Sequence, residues 1–311
     1  MALEQGTVLT DRIPFRVSPM LATLVDRPFH APGWVYEEKY DGYRILAYKE
    51  GHRVTLLSRN AKDRTESFAE VTRAVGALRC RTLLLDGEVV GFDPSLVSRF
   101  QLLQQGSVPH VYMVFDCLYL DGRDLRQEPL RARRAALESA IRDTAHLFPS
   151  RRLARNGLTA YEHAKKKGFE GIVAKDESSV YVEGRSRYWS KVKVHQQDEF
   201  VIGGYTVPGG SRPYFGALLL GAYAGPALHH VGKVGTGFSL RTLESLHRTF
   251  QPLVRKTSPF VVPPREKGAT WLEPRLVAQV AYQEWTEDRK LRQPVFLGLR
   301  DDKRPEECVL P

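Results

Sequence analysis

The run Lys39-Tyr40-Asp41-Gly42-Tyr43-Arg44 brings a lysine, a glycine turn and an arginine close together in the chain. A lysine amine can act as a covalent nucleophile, and attack on the α-phosphorus of a nucleotide would hold that nucleotide on the protein. Such a lysine needs an anchored cation and a closely approachable backbone, which Arg44 and Gly42 could supply. A short motif of this kind also occurs as a plain surface strand that ends in a turn. The rest of the chain decides between the two interpretations.

Composition predicts a basic protein of two domains. The 311 residues exceed one average domain, and the formal charge of +10 favours a polyanionic partner, most often nucleic acid. Cys80, Cys117 and Cys308 lie far apart without metal-ligand spacing, which predicts reduced packing residues in a cytosolic protein. The first residues, Met1–Gly6, lack the features of a signal peptide. The sequence also contains no apolar run of about 18 residues, so no membrane contact is expected.

Apolar periodicity predicts an α+β arrangement in the N-terminal part of the chain, with mostly antiparallel strand pairing. The predicted strands are residues 35–39, 44–48, 54–57, 82–92, 111–118, 171–175 and 189–194. The predicted helices are residues 67–78, 125–147 and 159–167.

Near His195 the sequence changes to short strands separated by glycine and proline. Strands are predicted at residues 200–202, 217–223, 230–234 and 277–285, with one helix at 240–250. This pattern is typical of a small barrel of the oligonucleotide-binding (OB) type. The predicted domains are therefore residues 1–195 and 196–311, with the segment His195–Glu199 as the hinge between them.

Several charged segments on predicted strands could hold a divalent metal and a triphosphate. Asp86-Gly87-Glu88 lies on one strand, and Glu170 opens another. Lys191 and Lys193 share one face of a third strand because side chains alternate along it. Each segment alone could be a turn, a helix cap or a solvated strand face, but these segments together with the Lys39 motif, in this order, would rarely coincide.

This order of segments resembles the covalent nucleotidyltransferase superfamily, which contains DNA ligases, RNA ligases and mRNA capping enzymes. The short lysine motif resembles that of ATP-dependent DNA ligases, and further stretches resemble the ligase module of bacterial ligase D, a non-homologous end-joining enzyme. Those stretches run from about residue 15 to about residue 305 and are Ser18–Leu24, Glu170–Lys175, Gly184–Arg187, Trp189–Lys193, Phe200–Tyr205, Val231–Phe238 and Phe296–Lys303. The resemblance implies an adenylyltransferase domain of ATP-grasp-like antiparallel sheets with helices, followed by an OB-fold β-barrel.

The resemblance also implies roles for individual residues. Lys39 would take AMP as a phosphoramidate, and neighbouring cations would lower its pKa from the ordinary value of about 10.4. The implied ATP or AMP contacts are Glu37 at the adenine amino group, Phe115 on one face of adenine with Ile172 or Val173 on the other, Lys191 and Lys193 at the α-phosphate, and Tyr40, Arg44, Arg59, Glu88 and Glu170 elsewhere on the nucleotide. Glu88 and Glu170 are the implied metal ligands, and Arg59 and Lys233 the implied DNA contacts. Arg300, Asp302 and Lys303 would orient pyrophosphate.

The implied reaction has three steps. Lys39 attacks ATP, AMP moves to the 5′-phosphate of a DNA nick, and the 3′-hydroxyl displaces AMP. The implied cofactors are ATP and Mg²⁺ or Mn²⁺, and the implied partners are nicked or broken double-stranded DNA and a Ku-type end-binding protein. The protein is expected to be a monomer in the cytoplasm, associated with the nucleoid. Basic residues proposed to contact the DNA backbone are Arg131, Arg133, Arg134, Arg151, Arg152 and Lys165–Lys167.

Other interpretations stay open. The chain has no room for the polymerase and phosphoesterase modules of ligase D, so it is a stand-alone ligase or an excised module. An RNA ligase or capping guanylyltransferase would share the lysine chemistry, although Glu37 and the segment Glu170–Lys175 argue against capping. A catalytically silent DNA-binding module would not need Lys39 among carboxylates. No P-loop is present, which argues against a motor ATPase.

Overall fold

The structure is a computed structural model that describes residues 12–141, 144–210 and 212–311. The chain separates into two compact units, Met1–Val194 and His195–Pro311. Both units consist mainly of antiparallel strands with a few helices, so the predicted α+β class is confirmed. The segment Met1–Gly6 lies outside the described residues.

The first unit contains both strands and helices, and its first four elements are strands. Its strands are β1 (Met20–Leu24), β2 (Trp34–Lys39), β3 (Tyr43–Glu50), β4 (Arg53–Ser58), β5 (Thr82–Val90), β6 (Val111–Leu120), β7 (Arg123–Asp124), β8 (Leu147–Pro149), β9 (Arg152–Ala154), β10 (Gly171–Asp176) and β11 (Gly184–Lys193). Its helices are α1 (Ala69–Gly76), α2 (Phe100–Gln105), α3 (Leu130–Ala140) and α4 (Gly157–Lys167).

The described strands of this unit form two sheets. One has the order β1-β11-β10-β2-β9, and the other has the order β4-β3-β5-β6-β7 with β8 beside β6. All pairs are antiparallel except β1 with β11 and β6 with β8. Strands β2 and β3 lie in different sheets, so the predicted turn at Asp41-Gly42 carries the chain from one sheet to the other. Lys39 and Arg44 therefore belong to different sheets.

The two sheets pack face to face. Leu46 of β3 and Phe115 of β6 lie in one buried cluster with Met20 of β1 and Trp189 of β11. The opposite face of the second sheet is covered by α1, α2 and α3, and the opposite face of the first sheet by α4. Charged side chains between the sheets are consequently shielded from water and need partners of opposite charge.

Helix boundaries differ from the sequence prediction in one important place. The helix predicted at residues 125–147 is α3, which covers only Leu130–Ala140. Pro129 stands at its N-cap in an extended conformation, and proline restricts the residue before it to extended backbone. Strand β8 occupies the end of the predicted range, and residues 142 and 143 lie outside the described residues. Helix α4 starts near its predicted position because the Asn156 side chain accepts hydrogen bonds from the Leu158 and Thr159 amides.

The second unit is an OB-type barrel. Its elements are β12 (Gln197–Tyr205), β13 (Leu218–Ala224), β14 (Ala227–Val234), α5 (Leu240–Phe250), β15 (Val254–Arg255), β16 (Thr270–Ala281) and β17 (Val295–Leu299), with 3₁₀ turns at Gln251–Leu253 and Pro305–Glu307. The strand order is β14-β13-β12-β16-β15, and β17 pairs with β16. Helix α5 matches its prediction, whereas the predicted late strand begins earlier and ends at Ala281. Residues 197–199 of the predicted hinge lie within β12.

The remaining sequence expectations concern cysteines and membranes. All three cysteines are free, with Cys117 and Cys308 buried and Cys80 half-buried. Within the described residues, no helix is both long and apolar enough to cross a membrane.

Candidate active site

The register of three strands determines which side chains surround Lys39. Strand β10 runs between β2 and β11, with Gly171 directly between Lys39 and Lys193. Two residues further along β10, Val173 lies between Glu37 and Lys191. Because directly paired residues point to the same side of a sheet, these side chains share one face. The sequence prediction that Lys191 and Lys193 share a face is confirmed, and the structure adds Lys39 and Glu37 to it.

Lys39 forms an ion pair with Glu170, the residue just before β10. The Lys39 Nζ contacts Glu170 Oε1, and both side chains are largely buried. Burial lowers the pKa of Lys39, but the Glu170 carboxylate, with smaller contributions from Asp41 and Glu88, raises it above its ordinary value. The expectation is that Arg44, Lys191, Lys193 and a bound metal lower this pKa. It is wrong for the protein without metal and nucleotide, because the nearest charge is the Glu170 carboxylate.

The two predicted metal ligands both lie near Lys39. Glu170 contacts its amine, and Glu88 on β5 is near enough to affect its pKa. No cluster of three or more His, Cys, Asp or Glu side chains suited to a metal occurs among the described residues. Mg²⁺ usually binds one or two carboxylates together with substrate phosphates rather than an all-protein cage. The pair Glu88 and Glu170 fits that mode of binding.

Glu37 is the centre of a buried charge network that we call the Glu37 network, formed by Glu37, Arg134 and Lys175. Glu37 Oε1 contacts Arg134 Nη1, and Glu37 Oε2 accepts a hydrogen bond from Lys175 Nζ at 2.7 Å. Burial raises the pKa of Glu37, but the charges of Lys175 and Arg134 outweigh burial and lower it. Glu37 is therefore held as an ionised carboxylate.

Phe115 adjoins the Glu37 network. The Lys175 Nζ lies 4.3 Å from the centre of the Phe115 ring and 4.2 Å from that of Trp189. The Arg44 guanidinium lies 4.5 Å from the Phe115 ring centre. Lys175 thus links Glu37 with Phe115, two of the residues predicted to contact adenine.

Arg44 is anchored by a carboxylate of the same sheet. Its Nε and Nη2 donate to the two Asp86 oxygens at 2.5 and 2.7 Å, and Nη2 also donates to the Met20 carbonyl at 2.9 Å. Asp86 accepts a further hydrogen bond from the Tyr181 hydroxyl at 2.6 Å. The predicted anchored cation exists, and Asp86 is what anchors it.

Two predicted nucleotide contacts need correction. Ile172 is fully buried in the cluster under α4, on the face of β10 opposite to Lys39, and Val173 is the neighbour on the Lys39 face. Tyr40 lies in a small apolar cluster with Val90, and its hydroxyl accepts a hydrogen bond from the Arg151 amide at 3.0 Å. Both residues point away because side chains alternate along a strand. Arg59 lies directly after β4 and is partly exposed.

The predicted DNA contacts Arg133 and Arg134 are also corrected. Their exposed fractions are 0% and 2%. Arg133 donates from Nε and Nη2 to the two Asp116 oxygens, each at 2.8 Å, while Arg134 belongs to the Glu37 network. Neither can reach a DNA backbone. The other proposed contacts keep exposed or partly exposed side chains: Arg131, Arg151, Arg152 and Lys165–Lys167.

Three predicted residues of the second unit, Arg300, Asp302 and Lys303, lie in one cluster, and Lys233 has a separate partner. Arg300 Nε and Nη2 each donate to Asp302 at 2.8 Å, and Arg300 Nη1 donates to Gln279 Oε1 at 3.2 Å. Lys303 pairs with Glu199 at 3.3 Å. Lys233 on β14 is half-exposed and pairs with Glu266 at 2.8 Å.

Sequence reasoning missed the partners that hold these side chains. The missed partners are Asp86, which pairs with Arg44, and Asp116, which pairs with Arg133. Glu37 has two such partners, Lys175 and Arg134. The signal for Asp86 was its position two residues before Glu88, which puts both on one face of β5. No local signal identifies Arg134, because its partner Glu37 is distant in the sequence.

Comparisons with known proteins point to one family for both units. The family model described as "ATP dependent DNA ligase domain" matches residues 19–193, and the one described as "ATP dependent DNA ligase C terminal region" matches residues 211–303. The chain is similar to the "Multifunctional non-homologous end joining protein LigD" of Pseudomonas aeruginosa, with 39% identity over 96% of this chain and 37% of that protein. The LigD of Mycolicibacterium smegmatis is 38% identical over 95% of this chain and 40% of that protein. The chain thus spans about two fifths of the length of these curated relatives.

A solved structure supports the same relationship. The structure titled "mycobacterial DNA ligase D complexed with ATP and MES" matches with a TM-score of 0.73 and 36% identity, covering 96% of this chain and all of that chain. The ligase domain of LigD from M. tuberculosis matches with a TM-score of 0.55 and the same identity.

Proposed function

Because this chain belongs to the ATP-dependent DNA ligase family, we propose that it seals breaks in duplex DNA through a lysyl-AMP intermediate. The observation that carries the proposal is the position of the Lys39 amine. It contacts Glu170 on a strand face that also carries Glu37, Lys191 and Lys193. A DNA-binding module without catalysis would have no need for a lysine enclosed in this way.

In the first proposed step, the Lys39 nitrogen forms a bond to the α-phosphorus of ATP and pyrophosphate leaves. The amine must lose a proton before it attacks. Lys191 and Lys193 would hold the α-phosphate beside the Lys39 amine. Binding of the nucleotide would therefore bring negatively charged phosphates, and the cations that bind them, next to Lys39. Most of this catalysis is positioning and charge stabilisation.

Glu88 and Glu170 are the residues proposed to hold a divalent metal. When bound, Mg²⁺ or Mn²⁺ would neutralise part of the phosphate charge. Glu170 also contacts the Lys39 amine, so the same carboxylate would serve two cations.

In the later proposed steps AMP moves to the 5′-phosphate of a nick and the adjacent 3′-hydroxyl displaces it. Arg59 and Lys233 are proposed DNA contacts, and Arg300, Asp302 and Lys303 are proposed to orient pyrophosphate in the first step. We further propose a monomer that acts at the nucleoid in end joining together with a Ku-type protein. The names of the curated relatives support end joining, and the DNA substrate supports the location.

The test is self-adenylylation. Purified protein is incubated with α-labelled ATP and Mg²⁺, and the acid-labile adduct is measured on a denaturing gel. We expect a labelled band that is lost in Lys39→Ala, retained in Lys256→Ala, an exposed lysine of the second unit, and transferred to nicked DNA in a chase.

Other outcomes separate the alternatives. Labelling with GTP instead of ATP would assign the protein to the capping enzymes. Labelling of Lys39→Ala would refute the nucleophile. If no label appears even after pyrophosphate has been added to remove bound AMP, a DNA-binding module becomes the better assignment.

A further inference from the structure

Arg134 is a cation that the proposed chemistry does not use directly, yet it is buried beside the active site. It lies on α3, contacts Glu37 Oε1 through Nη1, and donates from Nη2 to the Ser150 carbonyl at 3.3 Å. Its neighbour Arg133 is equally buried but pairs with Asp116. Two adjacent arginines of one helix thus hold different carboxylates, and only one of these carboxylates lies on the Lys39 face.

The charge of Glu37 decides which hydrogen bonds it can form. An ionised carboxylate has about four acceptor positions and no donor, whereas the protonated group has one donor. Arg134 and Lys175 each occupy one oxygen of Glu37, and the Ser150 side chain interacts with the same carboxylate, which leaves one of its about four acceptor positions for a ligand. An ionised Glu37 can therefore accept from the 6-amino group of adenine, and it opposes the 6-oxo group of hypoxanthine or guanine, which is itself an acceptor.

We propose that Arg134 is a positioning residue for base selection: it acts through Glu37 and makes self-nucleotidylation prefer a 6-amino purine to a 6-oxo purine. The inference rests on the proposed function. It identifies Arg134 as a residue that holds Glu37, the side chain proposed to contact the base, in place. Lys175 contributes from the other oxygen, and its contacts with Phe115 and Trp189 tie the same network to the proposed stacking ring. Buried polar groups discriminate strongly because the wrong ligand leaves them unpaired.

Inosine triphosphate is the informative probe because it carries the 6-oxo group without the 2-amino group of GTP. The experiment measures kcat/KM of lysyl-nucleotide formation with ATP and with inosine triphosphate for the wild type, Arg134→Met, Arg133→Met, Glu37→Gln and the double variant E37Q/R134M. Arg133→Met is the matched control, because it also removes a buried arginine of α3 from a carboxylate.

For R134M we expect the ratio of inosine triphosphate to ATP efficiency to rise at least about tenfold, a change of about 1.4 kcal/mol, mainly through KM for ATP. For R133M we expect a ratio within about twofold of the wild type, although both variants melt at lower temperature. In the E37Q background, R134M should add no further change in the ratio, because Arg134 acts only through Glu37. Arg134→Lys, which keeps the charge, should restore most of the preference.

Equal ratios in R134M and R133M would overturn the inference, and so would a full effect of R134M in the E37Q background. If R134M does not fold, Arg134→Gln removes the charge but keeps donors towards Ser150, and the same ratio is expected from it. A wild type that forms no adduct with ATP would instead sink the proposed function, so the two failures are distinguishable.

Discussion

Glu38, the residue before the proposed nucleophile, is expected to destabilise the protein at neutral pH. It points to the opposite side of β2 from Lys39, and its exposed fraction is 2%. Among the described residues, its Oε1 has no hydrogen-bond partner. Its Oε2 accepts one hydrogen bond, from Arg151 Nη1 at 3.3 Å. Burial therefore exceeds the opposing charge of Arg151 and raises the pKa of Glu38 to about 7.

The size and sign of the effect follow from linkage. The ordinary pKa is 4.5 and the folded value about 7, so the folded state binds the proton more tightly. Below pH 4.5 both states are protonated and no penalty exists. As the pH rises towards 7 the unfolded state ionises first and stability falls, and above pH 7 the loss is complete. At about 1.36 kcal/mol per pH unit, the total loss is about 3 kcal/mol.

Glu38→Gln removes this ionisation. We expect the variant to gain roughly 2–3 kcal/mol relative to the wild type between pH 5 and pH 8, which corresponds to about 5–10 °C in Tm for a unit of this size. The glutamine side chain adds a buried hydrogen-bond donor, but the free-energy cost of burying that donor does not depend on pH. The decisive quantity is therefore the change with pH of the difference between variant and wild type.

Scanning calorimetry at the two pH values measures this difference. Glu66→Gln removes the same charge from an exposed position and should follow the wild type within about 0.5 kcal/mol at both pH values. If the Tm difference between E38Q and the wild type is the same at pH 5 and pH 8, Glu38 does not titrate in this range and the reasoning is refuted.

Two further perturbations test the motif and the second unit. Gly42→Ala would set a Cβ against the Val89 carbonyl oxygen, so we expect a loss of roughly 1–3 kcal/mol in thermal melts and slower labelling with ATP. Gly209→Ala meets no atom within 4 Å and should change neither, and a Gly42→Ala variant that melts like the wild type would contradict the clash. Lys233→Ala should weaken binding to nicked DNA and reduce the salt slope by about 1 in an anisotropy titration, without a change in Tm. An unchanged slope would remove Lys233 from the DNA contacts.

The sequence predicted the local features of the site well but not how they meet. The motif at Lys39 and the strands at Glu170 and Lys191 carry local signals, namely alternation and glycine turns. Their register depends on pairings between residues distant in the chain, such as Gly171 with Lys39. A shift of one residue would turn every side chain of β10 to the other face, which is why Ile172 could not be distinguished from Val173 beforehand.

Long-range pairing also explains the wrong predictions about charge. Arg133 and Arg134 form part of a basic stretch that looks like a solvated helix face, and their partners Asp116 and Glu37 lie on strands remote in sequence. The formal charge of +10 therefore includes cations that no DNA can reach. Because each of these arginines is paired with a buried carboxylate, the net charge left for the surface hardly changes, but fewer individual cations are able to contact phosphates.

Strand β2 ends in three charged residues, Glu37, Glu38 and Lys39. The two glutamates show that residue type alone does not determine the pKa of a buried side chain. Glu37 and Glu38 are adjacent, identical and buried, yet the pKa of the first is lowered and that of the second is raised. The difference lies in their partners, because Glu37 faces two cations and Glu38 meets one at the edge of hydrogen-bond distance. Strand alternation turns Glu37 and Lys39 towards the proposed nucleotide and Glu38 away from it. The well-compensated carboxylate is consequently the one on the chemical face, where a fixed charge is needed to read a base, and the poorly compensated one lies where only stability is affected.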